Sequence, residues 1–469
     1  MKIRFVTLGC KLNFAESSAI GKALLQQGHT RAKQGEEADI CVINTCSVTD
    51  NADHKDRQAI HRIHRQNPNA IIIVTGCYAQ LQPEQVAQIE GVNYVLGQNE
   101  KYSITQLVNE LCDSLEDGVP PTERPTGYSL EDASLQDAAS GYSLEAQKIR
   151  VANIREVEEF HGAYSKDDRT RCFLKVQDGC NYFCTYCTIP YARGKSRNPA
   201  ISDIIKDAQE AILQGAKEII LTGVNIGDFG RSTGESFLEL LRALDGLENG
   251  ISPTGRSQSE LQVIGKSLEA KGMDYRIRIS SCEPNLLTDE IIDFVAQSKH
   301  FAPHFHIPLQ SGSNEVLSIM KRRYTRELFE ERVQHIKQVM PHAFIGVDCM
   351  VGVRGETEEC FNDYVEFIKR LDVSQLHVFT YSERANTRML ELDVCIVPKA
   401  ERQRRSKILH EISEEKTQTF YAKQAGREAI VLWESKKEGD QMAGFTENYI
   451  KVHRPYDKAK VNTFEVIRL

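Results

Sequence analysis

Long hydrophobic stretches are absent from this sequence of 469 residues. Apolar runs such as residues 71–74 are far too short to span a bilayer, and the first residues lack the apolar core and the cleavage site of a signal peptide. We therefore expect a cytoplasmic protein that has no membrane partner.

An even cysteine complement, as in a full disulfide framework, is also absent, because the chain has 13 cysteines. In the reducing cytoplasm these cysteines are expected as thiols or metal ligands. The length exceeds what one hydrophobic core supports and indicates about three or four domains.

An overall positive charge, which would favour nucleic acid, is missing as well, since the formal net charge is −8. The charges are nevertheless unevenly placed. Acidic residues dominate residues 113–148, a proline-containing stretch that repeats a motif at Gly127 and Gly141 and is predicted to be a flexible linker or insertion. Residues 249–272 are predicted to form a surface loop, and the residues from Lys399 onward are locally basic, which suits a phosphate backbone.

Three cysteines, Cys10, Cys46 and Cys77, each follow a predicted strand in the N-terminal part. The strands, at residues 3–8, 39–44 and 70–75, alternate with predicted helices at 15–27 and 52–65. Because parallel strands end at the same edge of a sheet, the three thiols are expected to converge there as a three-thiolate set for an iron-sulfur cluster. The alternative is that they are small core residues.

A second triplet, Cys180, Cys184 and Cys187, has the spacing C-x3-C-x2-C within one predicted loop. A cluster of four irons normally takes four cysteine ligands, so a loop with three leaves one iron open to an exchangeable ligand. The alternatives are a zinc site and unrelated buried thiols. Nothing next to the triplet supplies the second Cys or His pair that is usual at zinc sites.

Six predicted strands, each followed by a helical stretch, lie between about Arg169 and Lys399, and the cysteine loop follows the first of them. They occupy residues 172–177, 218–222, 275–280, 304–308, 344–350 and 376–380. Repeated βα units of this kind indicate a parallel barrel, here incomplete, whose chemistry lies at the carboxyl ends of the strands.

The last part of the chain changes to short strands, at residues 428–434, 441–446 and 448–452. Polar turns separate them, which is typical of a small antiparallel barrel. Its basic charge favours RNA binding, and the alternative is a barrel used only for packing.

These motifs resemble the radical S-adenosylmethionine (SAM) methylthiotransferase family. The matching motifs are Thr7-Leu-Gly-Cys, Asn44-Thr-Cys-Ser, Val74-Thr-Gly-Cys, the loop from Gly179, Leu221-Thr-Gly-Val-Asn, Ser280-Ser-Cys-Glu-Pro, His306-Ile-Pro-Leu-Gln, Met320-Lys-Arg-Arg-Tyr, His377-Val-Phe-Thr-Tyr and Gly444-Phe-Thr-Glu-Asn-Tyr. The resemblance implies an α/β protein with an N-terminal cluster domain at residues 1–112, a linker at 113–164, a partial (β/α)6 radical SAM barrel at 165–400 and an RNA-binding TRAM barrel at 401–469.

The resemblance further implies an enzyme that attaches a methylthio group to an RNA base, with two [4Fe-4S] clusters and SAM as cofactors. The cluster on Cys180, Cys184 and Cys187 would bind and cleave SAM, and the cluster on Cys10, Cys46 and Cys77 would supply the sulfur. The motif around Cys46 resembles the branch that modifies C2 of N6-threonylcarbamoyladenosine (t6A) at tRNA position 37. The branches for isopentenyladenosine and for a ribosomal protein remain alternatives.

By the same resemblance, five residues of the barrel would contact SAM. They are Tyr186, Gly223, Ser281, Gln310 and Arg323. Tyr186 could instead be a simple loop anchor, and Arg323 could belong to a solvated basic face with its neighbours.

Partners implied by the resemblance are the tRNA anticodon loop, an electron donor such as flavodoxin, and a sulfur source that stays open. The predicted helix after Cys46 carries a stripe of basic and histidine side chains that suits phosphates, although a solvated polar face explains it equally well. Its members are His54, Arg57, His61, His64 and Arg65. A different class of function, a non-catalytic iron-sulfur RNA-binding protein or redox sensor, is separated from the enzyme by SAM cleavage.

Overall fold

The computed structural model describes residues 1–33, 35–116, 148–165, 170–247 and 275–469. These residues divide into two compact units. The N-terminal unit comprises residues 1–157 and 191–194, and the main unit comprises residues 158–190 and 195–469. The repeats at Gly127 and Gly141 and the predicted surface loop at 249–272 lie outside the described residues.

A parallel sheet of six strands forms the centre of the N-terminal unit. Its strands are Lys2–Thr7 (β1), Thr30–Arg31 (β2), Ile40–Thr45 (β3), Ile71–Gly76 (β4), Val92–Leu96 (β5) and Ile149–Arg150 (β6), in the order β2-β1-β3-β4-β5-β6. The helices of this unit are Lys11–Gln26, Asp50–Gln66, Cys77–Leu81, Pro83–Ala87 and Ile104–Glu116, with 3-10 turns at Glu100–Ser103 and Ile154–Glu156. The strands are continuous apolar runs because apolar clusters cover both faces of the sheet, one around Ile43 and Val74 and the other around Val42 and Ile73.

Six parallel strands of the main unit form two sheets of three. They are Arg171–Lys175 (β7), Glu218–Thr222 (β8) and Arg276–Ile279 (β9), followed by His304–Gln310 (β10), Phe344–Val351 (β11) and Gln375–Thr380 (β12). Bridges from Ile277 to Phe301 and from Ser281 to His306 join β9 to β10. The result is an incomplete barrel of six strands.

Helices lie between the barrel strands in the sequence. They are Ile189–Arg193, Ile201–Leu213, Phe237–Asp245, Asp289–Gln297, Asn314–Ile319, Arg326–Val339 and Glu358–Arg370, with a 3-10 turn at Ile226–Asp228, and a further 3-10 turn at Arg388–Glu391 follows β12. The first of them ends inside the segment 191–194 that belongs to the N-terminal unit. The long helix Lys399–Lys423 packs on the last strand, where the Ser413 hydroxyl accepts from the Leu376 N–H and donates to the Leu376 carbonyl, both at 3.0 Å.

Alternation along the strands gives the barrel an apolar outside and a polar inside. Outward side chains such as Ile277 and Val347 enter the core beneath the helices. The inward side chains line what we call the lumen, and those that carry charge or an imidazole are Arg171, Lys175, Glu218, Arg276, Arg278, His304, His306, Asp348 and His377.

A four-stranded antiparallel sheet ends the chain. Its strands are Glu428–Glu438 (β13), Gln441–Thr446 (β14), Lys451–Pro455 (β15) and Phe464–Arg468 (β16), in the order β15-β14-β13-β16, with a 3-10 turn at Lys458–Lys460. The Arg276 guanidinium, at the amino-terminal end of the lumen, donates to the carbonyls of Ile430 and Phe445 at 3.2 and 3.0 Å. Tyr449 packs beside it, with its ring centroid 4.9 Å from that of His304 and 4.8 Å from the guanidinium carbon of Arg278. The C-terminal sheet therefore covers the amino-terminal end of the lumen and leaves the carboxyl end for chemistry.

This architecture confirms the predicted α/β class, with its parallel N-terminal sheet, partial six-stranded barrel and antiparallel C-terminal strands. The features that were not predicted from the sequence include the helix Lys399–Lys423 and the strands β2, β5, β6 and β16. Within the described residues, no helix combines the length and the apolar character that crossing a membrane requires.

Candidate functional site

The N-terminal triplet is assembled by three strand ends. Cys10 follows β1, and Cys46 and Cys77 follow β3 and β4 directly. Gly9 lets the first of these ends approach the second, because a Cβ built on it would lie 2.5 Å from Cys46 Cβ, and its φ of +93° suits glycine. The Asn13 amide then ties the two ends together by donating to the carbonyls of Leu8 and Thr45, at 2.8 and 2.9 Å.

The three thiols are close enough to affect one another's ionisation. The pKa of Cys46 is raised to about 12, mainly by burial, and the charges of Cys77 and Cys10 contribute to the shift. Burial also raises the pKa of Cys77, with Arg193 opposing the shift and Cys10 adding to it. Such thiols ionise only beside added positive charge, and the irons of a cluster provide it. The donor set therefore fits an iron-sulfur cluster with three cysteine ligands.

Polar side chains surround this triplet. The Gln98 amide donates to Cys77 Sγ at 3.1 Å, and the Cys46 N–H donates to Asp56 Oδ2 at 2.9 Å. Burial raises the pKa of Asp56 to about 7 although that N–H opposes the shift. Hydrogen bonds to ligand sulfurs and to ligand backbones are the usual means by which a protein orients a cluster and sets its potential.

A buried ion network lies behind the triplet in the same unit. Glu16 accepts from Lys101 at 2.6 Å and from Arg193 at 3.0 Å, and all three side chains are almost fully buried. Arg193 also donates to Asn13 Oδ1 at 2.7 Å. The network thus fixes Asn13, which holds the strand ends beside Cys10 and Cys46.

The second triplet lies in the loop that follows β7. The Gln177 side chain organises this loop: its carbonyl accepts from the N–H groups of Val224 and Asn225 at 3.0 and 2.8 Å, and its amide donates to the Gly179 carbonyl at 2.7 Å. The loop is pinned further on, where the Thr185 carbonyl accepts from the Met389 N–H at 2.8 Å.

The thiols of this loop are also buried and mutually coupled. Burial raises the pKa of Cys180 to about 11, and the charge of Cys184 adds to the shift. Burial is likewise the main cause that raises the pKa of Cys187, to which Cys184 and Cys180 contribute. Among the described residues, no three Cys, His, Asp or Glu side chains are grouped to hold a single metal ion. Three coupled thiols in one loop fit a cluster whose fourth iron is open.

Two buried ions next to this triplet were missed by the sequence analysis. Arg322 donates to Cys184 Sγ at 3.2 Å and to the Tyr186 hydroxyl at 3.3 Å, and it forms an ion pair with Glu283. Burial raises the pKa of Glu283, while the Arg322 charge and hydrogen bond oppose the shift. The motifs that contain these two residues were recognised in the sequence, yet only the structure distinguishes Arg322 from its neighbour Arg323.

Arg323, predicted to bind SAM, lies elsewhere in the structure. Its guanidinium stacks on the Tyr182 ring at 4.1 Å and donates to the Asn181 carbonyl at 2.9 Å, and the side chain is exposed. Tyr186, besides its bond to Arg322, packs against an apolar cluster that includes Met320, as a loop anchor does. Neither placement shows a SAM contact, and both assignments stay predictions.

The other three predicted SAM residues lie at carboxyl ends of barrel strands. Gln310 has a φ of +64°, and its Oε1 is buried without a hydrogen-bond partner among the described residues. Gly223 packs closely, because a Cβ built on it would lie 2.6 Å from Ile226 Cγ2 and 3.0 Å from Gln177 Oε1, so a larger side chain would have to displace its neighbours. Ser281 forms the bridge to His306. An orphaned buried acceptor in a strained backbone indicates a group that a ligand completes.

The basic stripe of the N-terminal unit lies on the helix Asp50–Gln66. His54, His61 and Arg65 are exposed, whereas Ala59, Ile60 and Ile63 are buried against the sheet. Arg57 bonds the Tyr78 hydroxyl at 3.1 Å, and His64 is turned toward Gly91. Exposed side chains of this kind can contact RNA, and they are equally typical of a polar helix face that contacts only water.

Comparisons with known proteins match both units. Residues 2–97 match the model described as Uncharacterized protein family UPF0004, and residues 174–368 match the Radical SAM superfamily. Threonylcarbamoyladenosine tRNA methylthiotransferase MtaB of Bacillus subtilis is 35% identical over 96% of this chain and 89% of its own length. The protein of the same name from Aquifex aeolicus is 34% identical over 97% of both chains.

A relative with another substrate and a solved structure are also similar. The tRNA-2-methylthio-N(6)-dimethylallyladenosine synthase of Alkaliphilus oremlandii is 29% identical over 100% of this chain and 90% of its own. The radical SAM methyltransferase TsrM from Kitasatospora setae, solved with tryptophan and a SAM analogue, superposes with a TM-score of 0.51 at 14% identity, covering 80% of this chain and 72% of TsrM. At that identity the likeness concerns the fold alone.

Proposed function

Because this chain belongs to the radical SAM methylthiotransferase family, we propose that it attaches a methylthio group to C2 of t6A at position 37 of tRNA. The observation that carries the proposal is the identity of 35% and 34% to two relatives named for that substrate, over nearly the whole chain. The relative named for dimethylallyladenosine is 29% identical. The cofactors of the family are two [4Fe-4S] clusters and SAM.

In the proposal, Cys180, Cys184 and Cys187 hold the cluster of the main unit and leave one iron for SAM. When bound, this cluster supplies the electron that cleaves SAM reductively, and the chemistry is the cofactor's own. The chain's contribution is to hold the three sulfurs in a loop that Gln177 and Thr185 fix to the barrel.

The methionine part of SAM carries one ammonium and one carboxylate, so its site needs an anion and a cation. Glu283 and Arg322 supply this pair beside Cys184. Gln310 Oε1 is free to accept from a ligand hydroxyl or ammonium, and Gly223 and Ser281 stay in the proposed SAM site at the neighbouring strand ends. We assign to Arg322 the carboxylate contact that the sequence analysis gave to Arg323.

Cys10, Cys46 and Cys77 hold the second cluster in the proposal, the one that provides the sulfur. The side chains around this cluster position its ligands and influence its reduction potential. Gln98 donates to a ligand sulfur, and Asp56 orients the backbone of Cys46. The ends of the parallel strands, rather than a single loop, fix the positions of the three cysteines.

The proposed partners are tRNA, a cytoplasmic electron donor such as flavodoxin, and a sulfur donor of unassigned identity. The exposed residues of the helix Asp50–Gln66 and the basic C-terminal strands are the proposed RNA surfaces. RNA binding to a surface of this kind should weaken as salt rises, because counterions are released on binding.

Nucleoside mass spectrometry of tRNA tests the proposal. Cells that lack the protein should lose 2-methylthio-t6A and accumulate t6A, and the reconstituted protein should convert a t6A-containing anticodon stem-loop but not one with isopentenyladenosine. Loss of the methylthio group from isopentenyladenosine instead would assign the other substrate. A protein that does not form 5′-deoxyadenosine from SAM would overturn the enzyme assignment and leave the iron-sulfur RNA-binding alternative.

A further inference from the structure

One phenylalanine at the carboxyl end of the lumen is exposed. The Phe379 side chain on β12 is 44% accessible, and it is the only phenylalanine among the exposed large apolar residues of the described chain. Leu376 and Val378 on the same strand pack into the core beneath the helices. Because side chains alternate along a strand, Phe379 faces the lumen together with His377.

The strand register places this ring at the end of the barrel where the cysteine loop lies. Phe379 pairs in register with Met350 on the neighbouring strand. Met350 and Tyr186 pack against the same apolar cluster, and that cluster includes Tyr381, two residues beyond Phe379. Since Tyr186 lies between two cysteines of the loop, the phenyl ring stands at the rim where SAM cleavage is proposed to occur.

Polar groups line the lumen next to this ring. His306 Nε2 lies 2.7 Å from Asp348 Oδ1, and the His306 ring centroid is 4.9 Å from that of His377. The His306 and Asp348 side chains keep 22% and 16% of their surface accessible. Deeper in the lumen, Tyr449 of the C-terminal sheet packs on Arg278. Accessible polar groups thus lie below an accessible aromatic face.

This arrangement is complementary to a nucleobase. A purine has two apolar faces and a polar edge, and enzymes that react with a base take it out of the stack and hold it against aromatic side chains. We propose that the target adenine stacks on Phe379, with its polar edge directed toward His306, Asp348 and His377. The inference rests on the proposed function and specifies where in the barrel the base of that substrate binds.

Binding of an anticodon stem-loop tests the stacking without any turnover. The probe is a fluorescent RNA hairpin with t6A at position 37, titrated into cluster-loaded protein in the absence of reductant. Phe379→Leu keeps an apolar side chain but removes the aromatic face, whereas Phe379→Trp keeps a face. Leu213→Ala is the matched control, because Leu213 is 53% exposed and ends the helix Ile201–Leu213 on the outside of the barrel.

The expected result is a dissociation constant about tenfold higher for Phe379→Leu, with Phe379→Trp and Leu213→Ala close to wild type. A second hairpin lacks the base at position 37. Phe379→Leu and this abasic hairpin together complete a double-mutant cycle. In that hairpin Phe379→Leu should have no further effect, because the base that it would contact is missing. Phe379→Leu should also release more 5′-deoxyadenosine per methylthio group formed, since the base is held less well.

Equal affinity of Phe379→Leu and wild type for the t6A hairpin would overturn the stacking, and so would an equal loss on the abasic hairpin. These outcomes are distinct from failure of the proposed function. If the wild-type protein neither binds nor modifies any tRNA hairpin, the substrate assignment fails, whereas a wild type that modifies t6A with an unaffected Phe379→Leu variant refutes only the stacking.

Discussion

The two cysteine triplets have similar surroundings but are assembled in different ways. Cys180, Cys184 and Cys187 are neighbours in sequence, and one loop holds them. Cys10, Cys46 and Cys77 become neighbours only because three parallel strands end at one edge. A loop can keep its ligand spacing while the rest of the domain is perturbed, whereas a set built from strand ends depends on the packing of the whole sheet.

The surroundings are alike in one further respect. Each triplet receives one side-chain N–H on a ligand sulfur, from Gln98 on Cys77 at 3.1 Å and from Arg322 on Cys184 at 3.2 Å. The donors differ in charge, because the first is a neutral amide and the second a guanidinium that is also paired with Glu283. A guanidinium can also pair with the carboxylate of a charged ligand, which a neutral amide cannot do.

Removing each triplet should separate two activities. Replacing Cys180, Cys184 and Cys187 with Ala should abolish SAM cleavage, because no open iron remains to bind SAM. Replacing Cys10, Cys46 and Cys77 should leave 5′-deoxyadenosine formation but remove methylthio transfer to tRNA. Mass spectrometry of 5′-deoxyadenosine and of digested tRNA measures both. Methylthiolation by the N-terminal variant, or loss of SAM cleavage in that variant while its main-unit cluster is intact, would contradict the division of roles.

Close packing at the first triplet predicts different effects of substitution at two glycines that have nearly the same φ, Gly9 at +93° and Gly28 at +91°. Gly9→Ala places a Cβ against Cys46, so the protein should bind about four irons per chain instead of about eight. Gly28 has a φ of +91° and nothing within 4 Å of a built Cβ. Gly28→Ala should therefore cost only the backbone strain of about 1–2 kcal/mol and keep about eight irons. Colorimetric iron analysis after anaerobic reconstitution measures the difference, and about eight irons in Gly9→Ala would show that the strand ends tolerate separation.

The same contrast, between features encoded locally in the sequence and features that depend on tertiary packing, explains which parts of the fold could be predicted. The six barrel strands were predicted because each is a short run with apolar positions that is followed by a helical stretch, and the structure places them within two residues of the predicted bounds. Strands β2 and β6 have two residues each and carry no detectable period, and β5 is interrupted by polar Asn93. The helix Lys399–Lys423 is highly charged, with only a few buried positions such as Leu409 and Ile412, so its pattern is weak.

The family motifs located the cluster ligands and the strand ends but not the side-chain orientations. Arg322 and Arg323 are adjacent and chemically identical, and only the packing of Tyr324 and the loop decides which guanidinium turns inward. Gln98 lies outside the recognised motifs, at the end of β5, and becomes important through its position beside Cys77. Contacts of this kind depend on tertiary structure, which a single sequence does not display.

The two adjacent arginines offer a smaller test of the main-unit site. Arg322→Ala should raise the SAM dissociation constant at least about tenfold, since charged hydrogen bonds are worth about 1.5–3 kcal/mol. Arg323→Ala should change it by no more than about twofold, because that side chain is exposed and stacked on Tyr182. Equilibrium dialysis of the cluster-loaded protein measures both, with iron content as the control for cluster retention. The opposite order would return the carboxylate contact to Arg323.

The smallest effect is expected for Gln98. Its substitution tests the comparison of the two triplets at a single hydrogen bond to a ligand sulfur. An N–H that donates to a ligand sulfur stabilises the more negative, reduced cluster, so its removal should make the reduction potential more negative. We expect Gln98→Leu to shift the potential of the N-terminal cluster in this direction while the iron content stays unchanged, because the three cysteines remain. Gln106→Leu is the matched control, since Gln106 lies on the helix Ile104–Glu116 of the same unit and its amide donates to Glu110 at 3.2 Å. The measurement is a redox titration followed by electron paramagnetic resonance, in a background that lacks Cys180, Cys184 and Cys187 so that one cluster gives the signal. An unchanged potential in Gln98→Leu would show that this bond positions Cys77 without tuning it, and the two triplets would then differ in the electronic effect of their donors as well as in assembly.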